Sequence, residues 1–441
     1  MAGTSICGAN YTCRRKDVMD NYKIITLKNG LRLITVPMPQ MESVTVMIGV
    51  GAGSRYETKK VNGLFHFIEH MAFKGTKKRP TTLAIASEVD GVGGEFNAFT
   101  DKEFTGYYLK LASKHTKLAF DILSDMLTNS LFKPEEIERE KGVIIEEINM
   151  YEDTPIRRIW DVFIRLLYGD NPMGWDIAGE SRIIKAIKRQ DFLRCIDRLY
   201  YPENMVVAVA GKLNDKEIKN MTENFFSSLR KAGQKVTKSI KIKQNQPRLK
   251  LINKTTEQGH FCLGVPGYDL FHKDRFALGI LAAILGGGMS SRLFLEIREK
   301  RGLAYYVGSE VDYYTDSGFL LNRAGVRLEK IQEAIKIVLE ELANLTSKKV
   351  SQKELTKAKE FTKGGLILAL EDSKNIANRY AAQLILEKQI RTPEQALAQI
   401  DEVTAEDVQR VAKDIFKPQK LNLAIIGPYK EETRFKKLLK T

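Results

Sequence analysis

Runs of β-branched and apolar residues set the first elements. Residues 23–37 and 43–50 are rich in such side chains, and the first run is broken by Asn29-Gly30, so both read as antiparallel strands opening with a hairpin. Helical spacing takes over at 62–73 and 83–89. A strand rich in Tyr and Leu follows at 104–111, and further helices are predicted at 117–127 and 134–151. Pro134 suits a helix first turn, where its missing N–H removes no helical bond. A strand at 205–210, ending at Gly211, closes this portion.

The pattern then breaks. Residues 231–247 carry Lys231, Lys235, Lys238, Lys241 and Lys243 with little large apolar content before Pro247, the composition of a linker. Beyond it the order recurs, with a strand at 261–265, helices at 276–285 and 292–298, a strand at 318–324, a helix at 328–345 and a late strand at 421–426. Locally, Phe104-Thr-Gly-Tyr-Tyr-Leu leading into the helix at Lys117 is echoed by Asp316-Ser-Gly-Phe-Leu-Leu leading into the helix at Ile331. The chain reads as a duplicated α+β protein. Two homologous α/β-sandwich halves, each an antiparallel-rich sheet covered by helices, span 19–230 and 248–441 on either side of the linker. Halves of about 200 residues fit ordinary domain sizes. Residues 1–18 precede regular patterning and read as a loose extension.

Composition narrows the class. Of 441 residues, 43% are hydrophobic, and 70 Lys+Arg against 55 Asp+Glu leave a net charge of +15. That excludes disorder as the main state. The longest apolar stretch, near 278–289, runs into Gly286, Gly287 and Gly288 and falls short of the ~18 residues a spanning helix needs, so no membrane association is expected. The basic residues are dispersed without an aromatic-plus-basic binding motif, so nucleic acid is not an expected partner. Arg14, Arg15 and Lys16 are followed by no apolar block of the secretory type. Cys7, Cys13, Cys195 and Cys262 are too sparse for a disulfide framework, and a reducing cytoplasm fits them.

Candidate chemistry concentrates in the first half. His66-Phe67-Ile68-Glu69-His70 puts two histidines one helical turn apart on one face, with Glu69 close by on that face. Leu64, Phe67, Ile68, Met71 and Ala72 give the helix an apolar side to bury. Imidazole nitrogens suit Zn²⁺, and a catalytic zinc site takes three protein ligands and keeps a position for water. A carboxylate beside it that is not a ligand can serve as general base. Only five histidines occur in the whole chain, so a pair at this spacing around a glutamate is not incidental. H-x-x-E-H is the inverted zincin arrangement, and it calls for a third ligand.

The helix at 134–151 offers that ligand. At about 100° per residue, Ile137, Ile144, Ile148 and Tyr151 fall in a narrow arc and form a core stripe. Glu140 and Glu147 sit at its edge and face inward together, whereas Glu146 points nearly opposite. Carboxylates near an apolar face are costly unless paired or metal-bound. Glu147 is therefore read as the third metal ligand and Glu140 as the carboxylate that supports the site.

With these residues the chain resembles the pitrilysin/insulinase family of zinc metallopeptidases, in the shorter branch similar to mitochondrial processing peptidase subunits and their bacterial relatives. The family's ligand glutamate follows H-x-x-E-H after 76 residues, and 76 residues separate His70 from Glu147. The segment Gly94-Glu-Phe-Asn97-Ala98-Phe-Thr100 and the run 286–308 also look like family segments. The resemblance implies a zinc endopeptidase, with one Zn²⁺ per chain on His66, His70 and Glu147, Glu69 as the base and Glu140 in support. It implies that unfolded peptides or extended segments enter an enclosed chamber, their backbone pairing with an edge strand near Asn97 and Ala98. It further implies that Arg298 and Tyr305 contact substrate near the scissile carbonyl and steady the developing oxyanion. Because zinc and this pair lie in different halves, the family implies a clamshell homodimer completed in trans, a heterodimer with a related chain being the alternative. A catalytically silent assembly subunit is the other function the family admits.

Overall fold

The computed structural model describes residues 22–229 and 239–439; the extension at 1–18 and the linker positions 231–238 lie outside the described residues. Two mixed sheets organise the chain. In the first, β1 (Lys23–Thr26) and β2 (Arg32–Pro37) form the expected hairpin. With β3 (Ser43–Val50), β4 (Glu95–Thr100), β5 (Thr105–Ala112) and β6 (Met205–Gly211) they take the order β1-β2-β6-β3-β5-β4. The second holds β7 (Arg248–Asn253), β8 (Gln258–Pro266), β9 (Ala304–Tyr313), β10 (Gly318–Arg327) and β11 (Asn422–Gly427) in the order β7-β11-β8-β10-β9. The strands from β2 to β6 and those from β7 to β11 follow one plan. In each set the last strand slots between the first two, parallel to the first and antiparallel to the second. The halves are thus topological copies.

Helices of the first half are α1 (Leu64–Ala72), α2 (Thr82–Asp90), α3 (Thr116–Asn129), α4 (Pro134–Glu152), α5 (Pro155–Tyr168), α6 (Ser181–Ala186), α7 (Arg189–Leu199) and α8 (Asp215–Phe225). The second half adds α9 (Arg275–Gly286), α10 (Ile331–Ser347), α11 (Gln352–Ala369), α12 (Ser373–Ala382), α13 (Pro393–Asp401), α14 (Ala405–Ile415) and α15 (Thr433–Leu438). The helix expected at 292–298 contains a widened turn, Phe294–Glu299, in which the Lys300 N–H reaches back five residues to the Leu295 carbonyl.

Each sheet buries one face under helices of its own half and the other under a helix of its neighbour. On the first sheet, Val44, Val46 and Ile48 pack with Phe65 and Phe67 of α1, Phe120 of α3 and Phe192 of α7. Burying each such side chain contributes about 1.5–3 kcal/mol. The opposite face, with Ile34, Met47 and Ala208, is covered by Ile376, Ala377 and Tyr380 of α12. Reciprocally, Ile159, Val162 and Phe163 of α5 cover Cys262, Phe319 and Ala424 of the second sheet. A Cβ on Gly264 would stand 2.6 Å from Phe163 Cζ and 2.4 Å from the Leu320 carbonyl oxygen, so only glycine lets α5 come this close. Residues 239–247 carry no helix or strand, and Ile240 and Ile242 pack against this same α5 layer.

A buried ionic node ties the halves beside the site. The Arg55 guanidinium bonds to Glu103 and to both oxygens of Asp316, and the Thr315 N–H donates to Glu103 Oε2 at 2.9 Å. Asp316 also accepts the Ile240 N–H at 2.8 Å. Buried charges persist only when so surrounded, and removing one partner strands the other. The node fixes the loop that leads into α1. Among the described residues no helix is long and apolar enough to cross a membrane.

Candidate functional site

Helix α1 starts abruptly at Gly63, whose φ of 95° is left-handed and whose Cβ position is 2.6 Å from the Ala178 carbonyl oxygen. No side chain at Gly63 can cap the helix, so the carboxylate of buried Glu57 does it from outside. Glu57 accepts the Gly63 and Phe65 N–H groups at 2.8 Å each and the Asn62 amide at 3.0 Å. Burial pushes Glu57 up to about 7 even so. Leu64, Phe65, Phe67, Ile68 and Met71 anchor α1, leaving His66, Glu69 and His70 half-buried on its open side.

The two imidazoles face Glu147 of α4. His66 Nε2 lies 3.6 Å and His70 Nε2 3.5 Å from Glu147 Oε2, and the rings stand 4.6 Å apart at 67°. The three ligand-type atoms lie within 4.8 Å of one another, and no other such group of His, Cys, Asp or Glu occurs among the described residues. These separations are long for hydrogen bonds. They match donors sharing one ion, since bonds of about 2.0–2.1 Å in a tetrahedron put ligand atoms roughly 3.3 Å apart. Two imidazoles and a carboxylate are an ordinary donor set for Zn²⁺.

Electrostatics bear on which ring atoms are free to take a metal. Burial, then the His70 charge, pushes His66 down to about 4, which keeps its ring neutral and free to coordinate. For His70 burial acts in the same sense, but a 2.8 Å hydrogen bond between Nδ1 and Glu140 Oε1, with the charges of Glu140 and Glu147, outweighs it and raises the pKa. With Nδ1 so engaged, Nε2 is the atom left for a metal. Glu140 is 2% exposed, and burial works against its charge. The His70 bond and Lys74, whose Nζ is 2.6 Å from Oε2, more than compensate and hold it below the usual carboxylate range. On Glu147 the Tyr151 hydroxyl takes Oε1, leaving Oε2 toward the histidines.

Glu69 is not part of this trio. Its Oε2 is buried without a hydrogen-bond partner, and burial raises its pKa while a bond from Thr100 acts the other way. It lines a cavity of about 470 Å³ together with His66, Glu147, Ala98 and Thr100. Ala98 and Asn97 lie on β4, the edge strand that among the described residues pairs only with β5. Ala98 reaches the cavity wall, whereas Asn97 is exposed and its side-chain oxygen accepts the Ala98 N–H at 2.8 Å.

Arg298 and Tyr305 come together with each other and not with the metal trio. Arg298 Nη1 donates to the Tyr305 carbonyl at 2.8 Å, its guanidinium lies 5.6 Å from the Tyr305 ring, and Tyr305 is 76% exposed. The second half instead lends Arg323 of β10 to the cavity.

Tyr151 corrects the sequence reading. It was expected in the core stripe of α4, whose buried members are Ile137, Glu140, Lys141 and Ile144. Tyr151 turns toward the cavity because its hydroxyl finds Glu147 there. Glu57 and Lys74 were also missed. Lys74 lies one helical turn beyond His70, a spacing that could have flagged it, whereas Glu57 acts through tertiary contact seven residues ahead of the first residue of α1.

Comparison with known proteins gives a consistent result. Residues 32–180 match the family described as insulinase (peptidase family M16), and residues 186–361 match the peptidase M16 inactive domain. The metal trio falls wholly within the first match. An uncharacterized zinc protease of Streptomyces coelicolor is 37% identical over 421 residues, covering 92% of this chain and 90% of its own. The uncharacterized zinc protease YmxG of Bacillus subtilis is 36% identical, covering 92% and 98%. Among solved structures, a protease from Helicobacter pylori superposes with a TM-score of 0.86 at 26% identity, covering 93% of this chain and all of that one.

Proposed function

Because the chain belongs to the insulinase (M16) peptidase family, we propose that it is a zinc-dependent endopeptidase that cleaves unfolded peptides and extended segments. One observation carries the reading: two imidazole Nε2 atoms and a carboxylate oxygen converge on one point, with Glu69 Oε2 unpartnered beside them at a cavity wall. A silent assembly subunit would need none of these groups.

When bound, zinc supplies a Lewis acid for the scissile carbonyl and an attacking water. His66, His70 and Glu147 would hold it, while Glu140 and Lys74 keep His70 in the tautomer that presents Nε2. Glu69 takes the proton from the attacking water and returns it to the leaving amine, a role suited to a carboxylate whose pKa burial has raised. The edge of β4 presents main-chain groups to which an extended substrate adds as a strand. A folded domain has no free extended segment to offer. A quenched unstructured peptide should therefore be cut, and the same sequence inside a stably folded domain spared; equal cleavage of both would refute the substrate class.

Arg298 and Tyr305 enter this reading from a second copy of the chain. The exposure of Tyr305 and the absence of both residues from the cavity of their own chain support a homodimer in which each site is finished by its partner. Glu69→Gln and Arg298→Ala proteins should each be nearly inactive alone. Mixed in equal amounts, they should recover about a quarter of wild-type turnover, since half the dimers are mixed and each then has one intact site. No recovery after exchange of subunits would place the pair's action within one chain or with a different partner. Cys195 and Cys262 as buried free thiols support a cytoplasmic setting.

A further inference from the structure

Three arginines line the cavity beside the metal trio, and two of them are already engaged. Arg158 is paired at 2.8 Å with both Glu152 and Asp176, and Arg323 at 2.6 Å with Glu310. Arg157 is exposed and makes no ion pair among the described residues. Its guanidinium is nevertheless held in place, 4.1 Å from the centroid of the Tyr151 ring, and Tyr151 in turn bonds to Glu147. Of the cavity carboxylates, Glu152 and Asp176 pair with Arg158, Asp161 lies within 3.7 Å of that same guanidinium, Glu147 faces the two histidines, and Glu69 stands beside them with Oε2 unpartnered. Arg157 hydrogen-bonds the Tyr151 side chain and lies within the field of Asp161 but is paired with no carboxylate, so one pre-oriented cation without an ion-pair partner stands at the cavity wall.

Resting on the peptidase reading, we propose that Arg157 is a specificity residue that receives an acidic side chain of the substrate, a glutamate or aspartate next to the scissile bond. A guanidinium offers a planar fork matched to a carboxylate, and stacking on Tyr151 reduces the side-chain ordering that binding must still impose. Arg157 lies in the first turn of α5, whose N-terminal end adds positive potential for the same anion. The net charge of +15 favours the approach of acidic peptides over a longer range.

The test uses three quenched peptides that differ at one position beside the cleaved bond, Glu, Gln or Lys, with full-length wild type, Arg157→Gln and Arg157→Glu. Wild type should favour Glu over Gln by about tenfold or more in kcat/KM, as a charge-assisted hydrogen bond allows. That ratio should collapse toward unity in Arg157→Gln and turn in favour of Lys in Arg157→Glu. A wild-type preference for Gln or Lys, or a Glu preference that survives Arg157→Gln, overturns the assignment. So does an equal loss on all three peptides accompanied by loss of zinc, which would mean Arg157 acts through Tyr151 on Glu147. Binding of the same peptides to the Glu69→Gln protein separates the two premises. Glu-selective binding without cleavage by wild type sinks the peptidase reading and keeps Arg157 as the anion site, whereas unselective binding sinks Arg157 alone.

Discussion

Glu69→Gln leaves zinc content unchanged and lowers kcat by about 10²–10⁴-fold, the usual worth of a positioned general base. The amide has the size and shape of the carboxylate, so α1 and its packing are undisturbed. It cannot accept the proton of the attacking water. Glu69 lies outside the trio of donors and its Oε2 makes no hydrogen bond, so nothing that binds metal is touched. Zinc content by atomic absorption and single-turnover cleavage of a quenched peptide read the two quantities separately. Zinc loss would make Glu69 a ligand, and full activity would remove it from the chemistry.

Glu147→Gln does the opposite and loses both. The amide oxygen is a weak neutral donor in place of an anionic one, and two imidazoles alone hold zinc poorly. We expect zinc affinity to fall by more than about 100-fold, beyond what loss of an outer supporting partner costs, and cleavage to fall with it. The helix should stay in place, because Ile137 and Ile144 are buried in the core and Glu140 still bonds His70 and Lys74. Glu146→Gln is the matched control. Glu146 is exposed one residue away on the other side of α4, and its variant should keep zinc and activity. Competition with a chromogenic chelator, with circular dichroism to check folding, measures both variants. Equal zinc retention by the two would overturn the ligand set.

The convergence of His66, His70 and Glu147 was legible because its geometry is mostly local. Two histidines one turn apart need only a helix to align them, and the phase of α4 distinguishes Glu147 from Glu146 without tertiary knowledge. Tyr151 escaped the same reasoning: the apolar arc counted its ring as core, while its hydroxyl is drawn to a carboxylate one turn back. Glu57 was invisible for a related reason, since it caps α1 across a loop and not from the capping position. Strand β9 was missed because Gly308, Ser309, Glu310 and Asp312 interrupt its apolar run. The duplication left only a faint echo in sequence, yet it persists in strand order, because topology tolerates substitutions that erase identity. Hardest of all was the exchange of α5 and α12. The apolar face of α5 can be read from its own residues, but its partners Phe319 and Ala424 lie in the other half of the chain.

Zinc per chain in protein purified without chelators, read beside cleavage of a quenched unstructured peptide, tests the zinc-peptidase assignment at its root. Close to a single zinc per chain is expected, with cleavage that a chelator abolishes and added zinc restores. Protein without zinc, or cleavage indifferent to the chelator, would contradict it.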